Sequence, residues 1–145
     1  MSQIKKTSYL EPSASAGRAF MEQGIEGSIV MLNLLRFRGV ADYSSNPQLA
    51  PPEPISGKKA YQLYMNHTLP YLQKSGGEML FYAKGGDFLI GPSDEYWDVA
   101  MLVRQRGVSD FMAFATDSGY LEGLGHRTAA LEDSRLLPLI EAVPA

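Results

Sequence analysis

The sequence predicts an α+β domain, an antiparallel sheet with helices laid over it, from three features. "SIVMLNLLRF" and "EYWDVAMLVRQ" read as long strands, "KKAYQLYMNHTLPYLQKSGG" carries the stripe of an amphipathic helix between them, and short apolar runs and turn residues fill the remainder. At 145 residues the chain fits one domain, here divided into an N-terminal extension (1–26) and a core (27–139).

Within the extension, Ser13 or Ser15 can cap a short helix over "PSASAGRAFMEQG", which Gly24 closes. The first strand follows at 28–37. Four prolines, paired serines and Asn46 then make 38–56 a long surface loop. In the next helix Tyr61, Tyr64, Met65, Thr68 and Leu72 fall on one face; Pro70 should kink or divide it near residues 66–69, and Gly76 and Gly77 should end it.

"EMLFYAK" and "DFLIG" are strand-like and separated by "GG", which suits a tight hairpin turn. In the third long strand Trp97, Val99, Met101 and Val103 alternate with Tyr96, Asp98, Ala100, Leu102 and Arg104. Ser109 is the expected cap of a second core helix over "DFMAFATDSGYLEGLG", and residues 130–137 form the expected last strand. With the leading helix and the extra short strand set aside, the order is βαββαβ, the ferredoxin-like split βαβ arrangement. Both faces of the first and third strands are largely apolar while helices cover only one. A homodimer packed through its sheet faces would cover the other.

Composition excludes several classes. Lys and Arg number 13 against 16 Asp and Glu, a formal charge of −3 with no basic block, which argues against a nucleic-acid partner. Cysteine is absent, so no disulfide, thiolate metal site or Cys nucleophile is available. The start lacks an apolar leader core and no apolar run reaches the roughly 18 residues of a membrane span, so no membrane partner and a cytoplasmic location are expected. Neither phosphate-binding glycine motif nor a G-x-S-x-G elbow occurs.

"VMLNLLRF", the pair Tyr61 and Tyr64, "GGEML", "WDVAMLVR", the pair Phe111 and Phe114, and "HRTAALEDSRLLPL" together resemble the family named domain of unknown function 1330. The resemblance spans about residues 28–139 and implies a dimeric α/β barrel. That superfamily hosts monooxygenases without cofactors, isomerases, haem enzymes and non-catalytic members, so it implies a fold more firmly than a function. This sequence departs in its longer loop 38–56, its leading helix, and "RQRGVSDF" in place of a tyrosine, proline and serine before the second helix.

Asn33 shares a strand face with Ile29, Met31, Leu35 and Phe37. A buried amide without a partner costs about 1–3 kcal/mol, so either a backbone group satisfies it or a ligand oxygen does. His126 and Arg127 follow Gly125 at the expected end of the second core helix, as cations favoured by helix carbonyls or as a proton-transfer group beside a carboxylate-gripping guanidinium. Tyr64, Trp97, Tyr82 and Phe37 either line an aromatic pocket or belong to core and interface. His67 is a helix residue beside Pro70 unless it converges with His126 and a carboxylate on a metal; no metal and no cofactor are expected. Asp98 and Arg104 should find cross-strand partners or solvent.

These residues frame a cofactor-independent enzyme for a small carbonyl or phenolic compound, of monooxygenase or isomerase type. In it His126 moves a proton, Asn33 and Arg127 stabilise negative charge on oxygen, and the aromatics wall the pocket. The alternatives are a non-catalytic small-metabolite-binding dimer and a purely structural domain.

Overall fold

The computed structural model describes residues 7–144; the part of the extension before residue 7 lies outside them. Helix α1 (Ala14–Glu22) starts where the Ser13 hydroxyl accepts from the Ala16 N–H at 3.1 Å. It rests on the helical layer through an edge-on contact of Phe20 with Phe111, ring centres 6.2 Å apart.

Strand β1 (Ile29–Phe37) lies inside a four-stranded antiparallel sheet of order β2-β3-β1-β4, with β2 (Glu78–Asp87), β3 (Tyr96–Gln105) and β4 (Leu131–Leu139). This is the ferredoxin-like α+β topology. Alternation sorts the strands by face: Leu35, Val99, Met101 and Leu131 pack into the core with Tyr61, Tyr64 and Ala129 from the helices. Val30, Leu32, Leu34, Ala100 and Leu102 point the other way, where no helix among the described residues covers them, and are only half-buried. Phe81 and Leu137 pair alongside them and are exposed.

Helix α2 (Gly57–Lys74) is capped by Ser56, whose hydroxyl accepts from the Lys59 N–H, and ends before Gly76, whose φ of 82° suits glycine. Contrary to expectation, it runs as one helix through Pro70. Asn66 and Pro70 are both exposed, so water can take the Asn66 carbonyl that proline leaves without a donor.

The "GG" hairpin is also corrected. β2 continues through Gly85 and Gly86, neither of which has positive φ, and the chain reverses only at 88–95, so "DFLIG" adds no strand. Glycine is needed at 85 for a different reason: a Cβ there would lie 2.5 Å from the Trp97 carbonyl oxygen.

The second core helix proves to be three: α3 (Val108–Ala115), α4 (Ser118–Glu122) and α5 (Leu124–Ala130). Gly107, not Ser109, is the N-cap of α3. Asp117 restarts the helix by accepting from the Gly119 and Tyr120 N–H groups. Gly123 then turns the chain against the His67 ring, where a Cβ would come within 2.1 Å. His126 and Arg127 therefore lie within α5, not at the end of one long helix. β4 starts at Leu131 and extends to Leu139; it keeps Pro138 because it is an edge strand.

The two adjacent glycines should respond oppositely. Gly85→Ala drives a methyl into a backbone oxygen and should cost about 1–3 kcal/mol in urea denaturation. Gly86 has open space around its Cβ position, so Gly86→Ala should be neutral or stabilising by up to about 1 kcal/mol. Equal losses would show that the close approach at Gly85 is not what requires glycine.

Candidate functional site

The helical layer brings chemistry-bearing side chains together by packing aromatic residues from three segments. On α2, Tyr61 and Tyr64 sit with ring centres 5.2 Å apart, and Tyr61 packs on Phe37 of β1 at 5.6 Å. The Tyr64 hydroxyl bonds that of Tyr120 from α4 at 2.7 Å, both side chains being buried. Burial pushes the Tyr61 phenol well above its ordinary 10, with Tyr64 adding to the effect and the Arg127 charge opposing it. Tyr120 is raised for the same leading reason. These phenols are therefore neutral hydrogen-bonding groups in the folded protein.

His126 Nδ1 lies 2.7 Å from the hydroxyl of Tyr43, which the loop 38–56 folds onto α5. Burial lowers the His126 pKa below 6.5 and the neighbouring His67 lowers it further. His67 itself donates from Nε2 to the Gly119 carbonyl at 2.7 Å. Among the described residues no three His, Cys, Asp or Glu side chains are placed to hold a metal ion.

Arg127 reaches the other way. Its guanidinium donates to the Leu10 carbonyl and, at 3.3 Å, to the Ser134 hydroxyl, tying the N-terminal segment to β4. Asn33 donates from Nδ2 to the Met31 carbonyl of its own strand at 3.2 Å. Thus one of its amide hydrogens is satisfied locally, and among the described residues no hydrogen bond joins any two of Asn33, His126 and Arg127. Asp98 accepts from the Phe37 N–H at 2.7 Å, and Arg104 pairs across the sheet with Glu78 at 2.8 Å.

Two clefts open away from this filled interior. One, of about 260 Å³, lies where β1 and β4 meet the 88–95 turn and is lined by Thr7, Arg36, Pro92, Asp94, Glu95, Asp133 and Arg135. Arg36 is 5% exposed, donates to the Tyr96 carbonyl from Nε and Nη2, and stacks over the Tyr96 ring at 4.2 Å. Trp97 has the guanidinium carbons of Arg36 and Arg135 at 5.0 and 4.9 Å from its ring centre. Asp133 would be raised by burial, yet the Tyr9 N–H, Arg135 and the Ser134 N–H hold it below 3.8. Two guanidinium groups facing three carboxylates make this cleft largely self-neutralising. Sequence reasoning passed over Arg36 and Arg135; the signal available was a lone cation inside the apolar run "NLLRF".

The second cleft, about 410 Å³, lies between α2 and β2 and is lined by Gln62, Met65, Asn66 and Tyr82. It offers two amides, a thioether and a phenol, the last raised above 10 by burial. Of the four aromatic candidates only Tyr82 lines a cleft; Trp97 is buried beneath the Arg36 and Arg135 guanidinium groups, and Tyr64 and Phe37 belong to the packed interior.

No family model matches the chain, and no curated protein does. Among solved structures it is similar to methylated RPA0582 protein, at 32% identity over 96% of this chain and 98% of that one, with a TM-score of 0.85. A second structure, RPA0582, a protein of unknown function from Rhodopseudomonas palustris, matches at 33% identity over 95% and 100%, with a TM-score of 0.82. The chain belongs to the family of that protein. A dimeric ferredoxin-like protein of unknown function from Thermobifida fusca aligns at 16% identity over 79% and 91%, with a TM-score of 0.39, too distant to bear on this chain's assembly. For the RPA0582 family the relevant fact is agreement over nearly the full length of both chains. No helix among the described residues is long and apolar enough to cross a membrane.

The buried phenol pair should show coupling. Tyr64→Phe and Tyr120→Phe should each cost about 1–2 kcal/mol, because each leaves the other hydroxyl without its partner. The double variant should cost less than their sum; additive losses in a denaturation cycle would show that the hydroxyls do not depend on one another. His126 gives a pH test. Its folded pKa is lower than its unfolded value, so its contribution is present above 6.5 and is lost as pH falls through the folded value. Stability should decline as pH falls below 6.5, and His126→Gln should flatten that slope in urea titrations.

Proposed function

We propose that the protein is a small-metabolite-binding homodimer, closed through its open sheet faces, that holds a small phenolic or carbonyl compound in the α2–β2 cleft. The observation that carries this reading is the composition of that cleft: Tyr82 offers a ring face and a phenol, Gln62 and Asn66 donate and accept without charge, and Met65 supplies an adaptable apolar wall. No carboxylate, imidazole or cation lines it, so a neutral or weakly acidic oxygen compound fits better than an ion. Assembly through the sheet is supported by the apolar, helix-free face of β1 and β3. The resemblance to domain of unknown function 1330 and a cytosolic location belong to the same reading.

A catalytic version, a cofactor-independent enzyme on the same compounds, has one observation in its favour. The Tyr43 and His126 pair is a hydrogen-bonded couple that could carry a proton, with the second ring nitrogen left for a substrate. Asn33 and Arg127 take no part in the favoured reading, because protein groups hold both.

Thermal-shift screening against phenols, aldehydes and small ketones separates these readings. A ligand at one hundred times its Kd should stabilise the wild type by about 2.7 kcal/mol. Tyr82→Ala and Asn66→Leu should abolish the shift, whereas Asn33→Leu and His126→Gln should retain it. A shift that survives Tyr82→Ala and disappears in His126→Gln would move the ligand to the interior and sink the binding-cleft reading.

A further inference from the structure

Among the described residues, the most exposed large apolar side chains lie together at a turn. Leu89 is 99% exposed and Ile90 92%, at the tip of the 88–95 connection between β2 and β3. The tip is built rather than loose: Phe88 folds over Gly91, where a Cβ would lie 2.7 Å from its ring, and Leu89 and Ile90 are left pointing outward between them. A second apolar patch follows β4, where Leu139, Ile140 and Val143 are 37, 56 and 89% exposed. A protein surface rarely displays such groups without a partner.

Their places in the sheet are related. The order β2-β3-β1-β4 puts the turn on the β2 side, at the end where Asp87 pairs with Tyr96. Leu139 pairs with Val30, so residues 140–144 leave the sheet on the β4 side at the opposite end. The two patches thus occupy diagonally opposite corners of the sheet. A two-fold axis parallel to the sheets and perpendicular to the line between those corners exchanges them, and on a face of about 19 by 31 Å it crosses the strands of the two sheets at roughly 60°.

Area argues that the corners are needed. Four strands of nine or ten residues give a face of roughly 600 Å², at about 4.8 Å between strands and 3.3 Å per residue. Such a flat footprint is comparable to a standard interface of about 800 Å² of accessible surface per partner, but part of it is polar at Arg36, Asp133 and Arg135, and the apolar corners make up what the face lacks. We propose that the 88–95 turn is a dimer arm, and that its Leu89 and Ile90 dock on Leu139, Ile140 and Val143 of a second copy of this chain. The arm rests on the homodimer reading above and adds to it a defined pair of contacts and a steep crossing of the two sheets.

The absence of cysteine makes the test clean. Light scattering on the wild type comes first and should give twice the protomer mass; a monomer at tens of micromolar would overturn the homodimer and the arm together. Under mild oxidation, Leu89→Cys with Ile140→Cys should then form a covalent dimer, which Leu89→Cys alone should not. The exposed pair Met21→Cys with Val40→Cys serves as the random-collision control. A wild-type dimer whose Leu89→Cys, Ile140→Cys variant crosslinks no faster than that control leaves the homodimer standing and overturns the arm. Crosslinking by Leu89→Cys alone also overturns it, because the arms would then meet each other. Leu89→Ser with Ile90→Ser should raise the dimer Kd about tenfold or more, since two aliphatic side chains lose their burial; an unchanged Kd would overturn the docking.

Discussion

Three stretches of backbone meet at Gly57, and the arrangement of the helical layer depends on their closeness. A Cβ at that position would lie 2.3 Å from the Arg38 carbonyl oxygen, 2.5 Å from that of Ala130 and 2.7 Å from the Arg38 nitrogen. Hydrogen bonds close the junction: Arg38 N–H donates to the Ala130 carbonyl at 2.8 Å and Gly57 N–H to the Arg38 carbonyl at 3.0 Å. The exit of β1, the start of α2 and the passage from α5 to β4 are thereby held at one point. Any side chain at 57 would have to push backbone aside, a far more costly adjustment than moving a flexible side chain.

The loop 38–56 takes its shape from the same junction. Ala41 N–H donates to the Ile55 carbonyl and Asp42 N–H to that of Ala129, so both ends of the loop are fastened. Between them Asn46 and Leu49 pack against Gly125, and Tyr43 is delivered to His126. A proline-rich segment with little regular structure is in this way a fitted cover for α5. The interior it covers is filled by phenols, an imidazole and a guanidinium that bond to one another or to backbone. Tyr43, Tyr64, Tyr120, His67 and Arg127 find their partners within the protein, and the open clefts, not the core, offer unfilled space to a ligand.

The strands β1 and β3 were legible because period-two alternation reports burial directly, and the apolar content of both faces correctly announced a sheet with one side uncovered. The same local logic failed at "GG". A glycine pair suits a turn, but it also suits a strand whose backbone passes close to a neighbour, and Trp97 supplies that neighbour from another strand. It failed again over 108–130, where apolar spacing could not reveal that Asp117 restarts the helix and that His67 packs on Gly123. At the candidate sites the residue types were visible and their partners were not. Tyr82 stood out in the sequence as an aromatic candidate, but Gln62 and Asn66 had no feature to set them apart from other exposed helix amides.

What the sequence by itself determined is the α+β order of elements, the central strand and its two apolar faces, because these follow from hydrophobic period and chain punctuation over a few residues. Tertiary structure decided the rest. His126 meets Tyr43 across 83 positions and Arg127 meets Leu10 across 117. Contacts between residues so far apart depend on how whole elements pack, and no local pattern encodes them. Asn33 shows the division within one residue: the sequence places it on the core face of β1, and only the folded strand has the Met31 carbonyl turned to receive its amide.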